Sequence, residues 1–212
     1  MTRPVPEYFF FDLDDTVYPP ETGLWDEIGR RINRYLMERI AVPETAVEDL
    51  RRRYFETYGT TCQGLRIEQQ VDPEDYYRFV HDIPLERFLS PDPALRRMLT
   101  GLGQQRFIFS NADRAYILRV LTILDIAECF DGIIDIFATG LVPKPQPDAY
   151  QTAMQMAGSP PADRCLLADD LPRNLRPARE LGWTAVLVHH RPDDGSAHHH
   201  IETIHRLPEV WG

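Results

Sequence analysis

The aromatic run Tyr8-Phe9-Phe10-Phe11 leads without a break into Asp12-Leu13-Asp14-Asp15-Thr16. A short, wholly apolar run of this kind reads as a strand buried on both faces, and its burial ends where the charges begin. In a doubly wound sheet, ligands sit at the carboxyl ends of the strands, so a strand that stops in acid is a strand that stops in a site. An unpaired buried carboxylate is costly. Asp12 and Asp14 must therefore be solvated, hydrogen-bonded or facing a cation, and a hard divalent metal fits. Asp also makes turns and caps helices, so this stretch alone leaves a structural reading open beside the functional one.

After the stiff turn Val17-Tyr18-Pro19-Pro20 the period changes. Leu24, Trp25, Ile28, Ile32, Tyr35, Leu36 and Ile40 recur at helical spacing, and further helical stretches run from Thr45 to Tyr58 and from Pro73 to Val80. Pro43, Gly59-Thr60-Thr61 and Asp72-Pro73 separate three or four helices that no strand-like run interrupts. Such a block between a first strand and the rest of a sheet reads as an inserted helical cap over residues 17–90.

Strand and helix then alternate. A helix through Leu95 and Leu99 ends at Gly101 and Gly103. Arg106 to Phe109 is a strand ending in Ser110-Asn111, Ile133 to Phe137 a strand leading to Lys144, and Cys165 to Ala168 a strand ending in Asp169-Asp170. Thr184 to Val188 is the last clear strand. His198-His199-His200 could bind a metal or mark an added tag, but the residues through His205 continue in helical rhythm, so a helix start is expected there. The alternation predicts an α/β fold with a parallel sheet covered by helices on both faces, and parallel strands bring these polar ends to one rim. Lys144 is the only lysine among 23 basic residues. Arginine serves wherever any positive charge will do, so the lone lysine marks a place for a compact ammonium, such as a phosphate oxygen beside a carboxylate.

In this order, Asp12-x-Asp14-x-Thr16, Ser110, Lys144 and Asp169-Asp170 resemble the four-motif signature of the haloacid dehalogenase superfamily, and the helical insert resembles its subgroup with a cap after the first motif. Several stretches resemble the pyrimidine 5′-nucleotidase-like branch: Asp12 to Pro19, Tyr58-Gly59-Thr60-Thr61-Cys62-Gln63-Gly64-Leu65, Pro91 to Arg96, Phe109 to Ala112, and Asp169-Asp170-Leu171-Pro172-Arg173-Asn174. Gln146 departs from the branch, which has Ser there. The resemblance implies a Rossmann-like doubly wound core formed by residues 1–16 and 91–212.

It also implies a Mg²⁺-dependent phosphomonoester hydrolase. Asp12 would be the nucleophile, forming an aspartyl-phosphate. Asp14 would serve as general acid and then base, which requires its pKa to lie above that of Asp12; two close carboxylates push such values apart. Mg²⁺ would be held by Asp12, the Asp14 carbonyl and the Asp169/Asp170 pair, with the direct ligand of the pair left open. Ser110 and Asn111 would bind phosphoryl oxygens, and Lys144 would offset charge. Arg173 and Asn174 would brace the loop. Tyr58, Gly59, Thr60 and Thr61 combine a flat ring, a flexible turn and two hydroxyls that could hold a small base, a pyrimidine by resemblance; alternatively Gly59 only ends a helix and Tyr58 only packs.

A phosphomutase or a sugar phosphatase stays open within the superfamily. A dehalogenase lacks the second acid of the first motif. A phosphoacceptor receiver-type domain groups similar residues but carries its acid pair after the first strand, not last, and has no helical insert. The formal charge of -10 argues against a nucleic acid polymer as partner, and the Arg51-Arg52-Arg53 triplet is flanked by Glu48, Asp49 and Glu56. No apolar run of membrane-spanning length occurs, and Met1 to Glu7 lacks a signal-peptide layout, so a cytoplasmic location is expected. Cys62, Cys129 and Cys165 lack metal-ligand spacing and read as free thiols.

Overall fold

Phe9 and Phe11 turn to one face of a sheet and Phe10 to the other, and all three are fully buried. A strand with no solvent face must lie inside the sheet, and in the computed structural model β1 (Tyr8–Phe11) is flanked by β2 (Gln105–Phe109) and β4 (Cys165–Asp169). The structure describes residues 4–189 and 194–210, so the outer ends of the expected core, residues 1 and 212, lie outside them, as do the first three residues of the amino-terminal segment.

With β3 (Gly132–Ile134), β5 (Thr184–Val188) and β6 (His199–Ile201), the sheet has the order β3-β2-β1-β4-β5-β6, and every pairing is parallel. The order reverses at β1, which opens a crevice beyond its carboxyl end. Below the sheet, Phe10 stacks on Trp183 with centroids 4.6 Å apart, within a cluster that includes Phe107, Phe109 and Leu167.

The expected helical block is four helices: α1 (Leu24–Glu38), α2 (Glu44–Tyr58), α3 (Thr61–Gln69) and α4 (Pro73–Val80). Thr60 and Asp72 cap α3 and α4 by accepting from Gln63 N and Glu74 N. Ile28, Ile32, Leu65 and Val80 join the same apolar cluster as Phe9, Phe11 and Ile108 of the sheet. The remaining helices α5 (Pro93–Gly101), α6 (Arg114–Ile123), α7 (Pro147–Met156) and α8 (Pro172–Glu180) alternate with the strands as the sequence rhythm predicts.

Two expectations fail locally. His199-His200-Ile201 is an edge strand paired with Val186, Leu187 and Val188, not a helix start; a helical turn begins only at Ile204. Six residues are too short a window to separate the two periods, and the open edge of β5 supplies backbone partners that a helix would leave unused. The strand expected through Phe137 stops at Ile134, because the Asp135 carboxylate accepts from Ala138 N at 2.6 Å and turns the chain.

Candidate active site

The three adjacent strands β2, β1 and β4 end level with one another: Phe11 registers with Ile108 and Ala168. One residue further on, Asp12 N donates to Ala168 O, and Asp12 and Asp169 stand side by side across the reversal point. Lys144 arrives from the loop after β3. Its ammonium donates to Asp12 Oδ1 at 2.8 Å and Asp169 Oδ2 at 2.7 Å, and it is 1% exposed. Burial alone would lower the Lys144 pKa, but the two carboxylates outweigh it and hold the group charged above its usual range.

Asp169 is saturated with donors. Besides Lys144 it accepts from Asn174 Nδ2 at 2.9 and 3.1 Å and from Leu171 N at 2.9 Å. Asn174 thus braces the loop, as expected. Asp12, Asp169 and Asp170 can each bring a carboxylate oxygen within 4.8 Å of the others. Burial first, then Lys144's opposing pull and the charges of Asp169 and Asp14, leave Asp12 raised to about 7; burial and Asp169 push Asp170 up to about 9. Three crowded carboxylates against one ammonium make an all-oxygen site with excess negative charge, which fits a hard divalent cation such as Mg²⁺.

Asp14 is not part of this cluster. Its Oδ1 accepts from Tyr18 OH and from Tyr116 OH, the latter at 2.8 Å. Its pKa is raised, chiefly by burial and against the pull of both tyrosines, so the expected mutual repulsion with Asp12 is not the main cause. Neither tyrosine was anticipated as a site residue, although Tyr18 lies one helical turn beyond Asp14 in sequence.

Ser110 is buried, and its Oγ accepts from Ala112 N at 3.1 Å. The Asn111 side chain is taken up by Lys144: its Nδ2 donates to Lys144 O at 3.0 Å and its Oδ1 accepts from Lys144 N at 2.8 Å. Its side chain therefore fixes the lysine loop, and what Asn111 has to offer an anion is its backbone N–H.

Asp12, Asp14, Ser110, Asn111, Lys144 and Asp170 line a cavity of about 500 Å³ whose far wall is helical. Gly59, Thr60 and Thr61 line it too; Tyr58 is not among its lining residues. The Tyr58 hydroxyl donates to Glu68 Oε1 at 2.9 Å, and its ring packs near Tyr54. The expectation of a base-stacking Tyr58 is corrected accordingly, because the Glu68 acceptor draws the ring along the outside of α2 and α3. Trp25 and Phe55, which the sequence reading did not single out for the site, line the cavity while 45% and 40% exposed. Arg173 holds this wall to the sheet layer: its guanidinium lies 4.1 Å from the Phe55 ring centroid and donates to Phe55 O at 2.9 Å.

The family model for haloacid dehalogenase-like hydrolases matches residues 6–182. The chain belongs to this family. Among its relatives, Phosphate metabolism protein 8 of Saccharomyces cerevisiae is 27% identical over 198 residues, covering 87% of this chain but 62% of the yeast protein. The HAD-hydrolase YfnB of Bacillus subtilis, bound to magnesium, has the same fold, with a TM-score of 0.66 at 15% identity over 98% of this chain and 99% of that one. A HAD phosphatase from Thermococcus onnurineus gives 0.65 at 17% identity over 97% and 98%. Among the described residues of this haloacid dehalogenase-like chain, no helix is long and apolar enough to cross a membrane.

Proposed function

We propose that this protein is a Mg²⁺-dependent phosphomonoesterase that works through an aspartyl-phosphate on Asp12, with residues 17–90 as a cap over the site. The observation that carries the reading is the buried ammonium of Lys144 between Asp12 and Asp169, with Asp12, Lys144 and Asp170 all lining the cavity. A phosphate placed there meets a carboxylate nucleophile, an ammonium, the Ser110 hydroxyl and the Asn111 N–H.

Asp12 attacks phosphorus, and the ester P–O bond breaks toward the leaving oxygen, which takes a proton from Asp14. Water then attacks the aspartyl-phosphate, Asp14 recovers a proton from it, and Asp12 is released. Lys144 balances charge throughout, and Ser110 Oγ and the Asn111 N–H serve phosphoryl oxygens. Asp12, Asp170, the Asp14 carbonyl and Asp169 would hold the metal, which would supply charge neutralisation at the phosphate. Asp169 already receives four hydrogen bonds, so Asp170 is the better direct ligand of the pair.

For the substrate we propose a pyrimidine nucleoside 5′-monophosphate in the cytoplasm. The cavity volume suits a mononucleotide, Trp25 and Phe55 offer flat faces, and Thr60 and Thr61 offer hydroxyls. The names of the yeast relative and of the Thermococcus phosphatase agree with phosphate chemistry. The test is purified protein with Mg²⁺ against nucleoside monophosphates and sugar phosphates. Preferential release of phosphate from UMP and CMP is expected. A preference for a sugar phosphate overturns the nucleotide assignment, and no release from any ester overturns the phosphatase.

A further inference from the structure

We infer that Tyr18 and Tyr116 form a clamp that positions Asp14 for proton transfer to the leaving group; this rests on the phosphatase reading above. Both hydroxyls donate to the same carboxylate oxygen, Oδ1, and the two phenol oxygens lie 3.2 Å apart, so three groups share one small polar junction. The tyrosines are each 1% exposed. A carboxylate at the end of two rotatable bonds can sweep a wide arc in an open site. Two donors on one oxygen remove that freedom and assign the other oxygen, Oδ2, to the reacting proton.

The clamp is itself held from both sides. Tyr18 directly follows the turn that Val17 N closes on Leu13 O at 3.0 Å, so it is tied to the first motif by chain connectivity. Tyr116 belongs to the first turn of α6, where Asp113 accepts from Tyr116 N at 3.1 Å. Its ring stacks on His81 with centroids 4.1 Å apart and planes 21° apart, and His81 Nδ1 meets Asp113 Oδ2 at 2.5 Å. His81 directly follows α4, so the helical block supplies the brace that stops the Tyr116 ring from turning. Tyr18 and Tyr116 touch no reacting atom; they are positioning residues.

In the step they serve, an Asp12 carboxylate oxygen forms a bond to phosphorus as the ester P–O bond breaks, the electron pair of that bond goes to the leaving oxygen, and the proton on Asp14 Oδ2 moves to that oxygen. A good leaving group needs little of this proton, whereas an alkoxide needs all of it. Tyr18→Phe and Tyr116→Phe keep ring packing and remove only the hydroxyl. Each is assayed with Mg²⁺ on p-nitrophenyl phosphate and on UMP, alongside thermal melts. The expected result is a kcat/KM on UMP at least about 10-fold lower and a kcat/KM on p-nitrophenyl phosphate within about 3-fold of wild type; kcat/KM ends at departure of the leaving group, whereas kcat also contains the later attack of water, in which Asp14 serves both esters alike. Equal losses on both esters, or no loss on either, overturn the clamp while the phosphatase stands. If wild type hydrolyses neither these nor any other phosphate ester, the phosphatase reading fails and takes the clamp with it. Should one variant lose its cooperative melt, the other carries the same comparison, and Tyr116→Phe is the safer because its ring remains stacked on His81.

Discussion

Lys144 Nζ lies within hydrogen-bond distance of both Asp12 Oδ1 and Asp169 Oδ2, joining residues 132 and 25 positions away in the chain. The ring centroid of Phe109 is 5.0 Å from the same nitrogen, so the ammonium has a fixed, tight seat. A planar guanidinium is larger and directs its donors in a fork, and it cannot occupy this seat without displacing a carboxylate. Lys144→Arg is expected to remain folded at a cost of about 1–3 kcal/mol and to lose roughly 100-fold or more in kcat/KM. Lys144→Met leaves two buried carboxylates uncompensated and is expected to cost about 3–5 kcal/mol in denaturant unfolding without metal. An unchanged rate in the arginine variant would return Lys144 to a structural role.

Crowding among Asp12, Asp169 and Asp170 makes the proposed metal site costly when it holds no cation. Mg²⁺ is therefore expected to raise the melting temperature; at 100 times its Kd the gain is about 2.7 kcal/mol, or roughly 5–10 °C for a chain of this size. Asp170→Asn is expected to melt higher than wild type in EDTA and to gain nothing from Mg²⁺. Asp12→Asn is expected to abolish turnover, since an amide is a poor nucleophile. Turnover that survives both EDTA and Asp12→Asn would sink the mechanism.

Much of this was legible in the sequence because it depends on local signals. The aromatic run ending in Asp12 and the paired Asp169-Asp170 stand at strand ends, the solitary Lys144 lies in the loop that a further strand feeds, and parallel strands have one rim. Tyr18, Tyr116 and His81 were not legible, since a buried tyrosine at helical spacing looks like core until its hydroxyl is seen to meet Asp14. Tyr58 misled for the opposite reason. Its ring sits beside Gly59 in sequence, but the acceptor that decides its direction, Glu68, lies on the next helix. The strand at His199 was hidden because an edge partner, not local rhythm, decides it.

Substrate preference is expected to follow the two aromatic residues on the cavity wall. If a base packs on them, Trp25→Ala and Phe55→Ala should each cost about 1–3 kcal/mol in kcat/KM for UMP, with a smaller change on p-nitrophenyl phosphate. Tyr58→Ala should change neither by more than about 3-fold, because its hydroxyl bonds Glu68 away from the cavity. A Tyr58 effect confined to UMP would reinstate the tyrosine as a reader of the base.

Gly59 has a φ of +92°, and a Cβ there would lie 3.1 Å from Pro143 Cγ and 3.2 Å from Lys144 O. The first is side chain, but the second is backbone of the loop that carries Lys144 and cannot yield cheaply. Gly59→Ala is expected to cost about 1–3 kcal/mol and to lower kcat by shifting Lys144. Gly101→Ala, where a Cβ meets nothing within 4 Å and φ is ordinary, serves as the control and should be neutral or slightly stabilising. Equal stability of the two variants, measured by chemical denaturation, would contradict the tight docking of α2 on this loop.

Acid stability is expected to depend on Asp113, which joins α6 to the helical block through His81. Burial would raise its carboxyl, but the His81 hydrogen bond and charge, with the Tyr116 and Ala115 amides, outweigh burial and hold it below the usual carboxylate range. In the unfolded chain the group titrates at about 3.9. Because its folded value is lower, the contribution is fully present above the unfolded value and is lost as pH falls through the folded one. Asn at this position still accepts from Tyr116 N, so the α6 cap survives and the charge alone is removed. Asp113→Asn should therefore melt lower than wild type at pH 7, and the gap should close as the pH is taken from 5 toward 3. Other carboxylates tilt both curves alike, so the difference between them isolates Asp113. A gap that stays constant across that range would show that the charge of Asp113 does not hold His81, and with it the brace on Tyr116, in place.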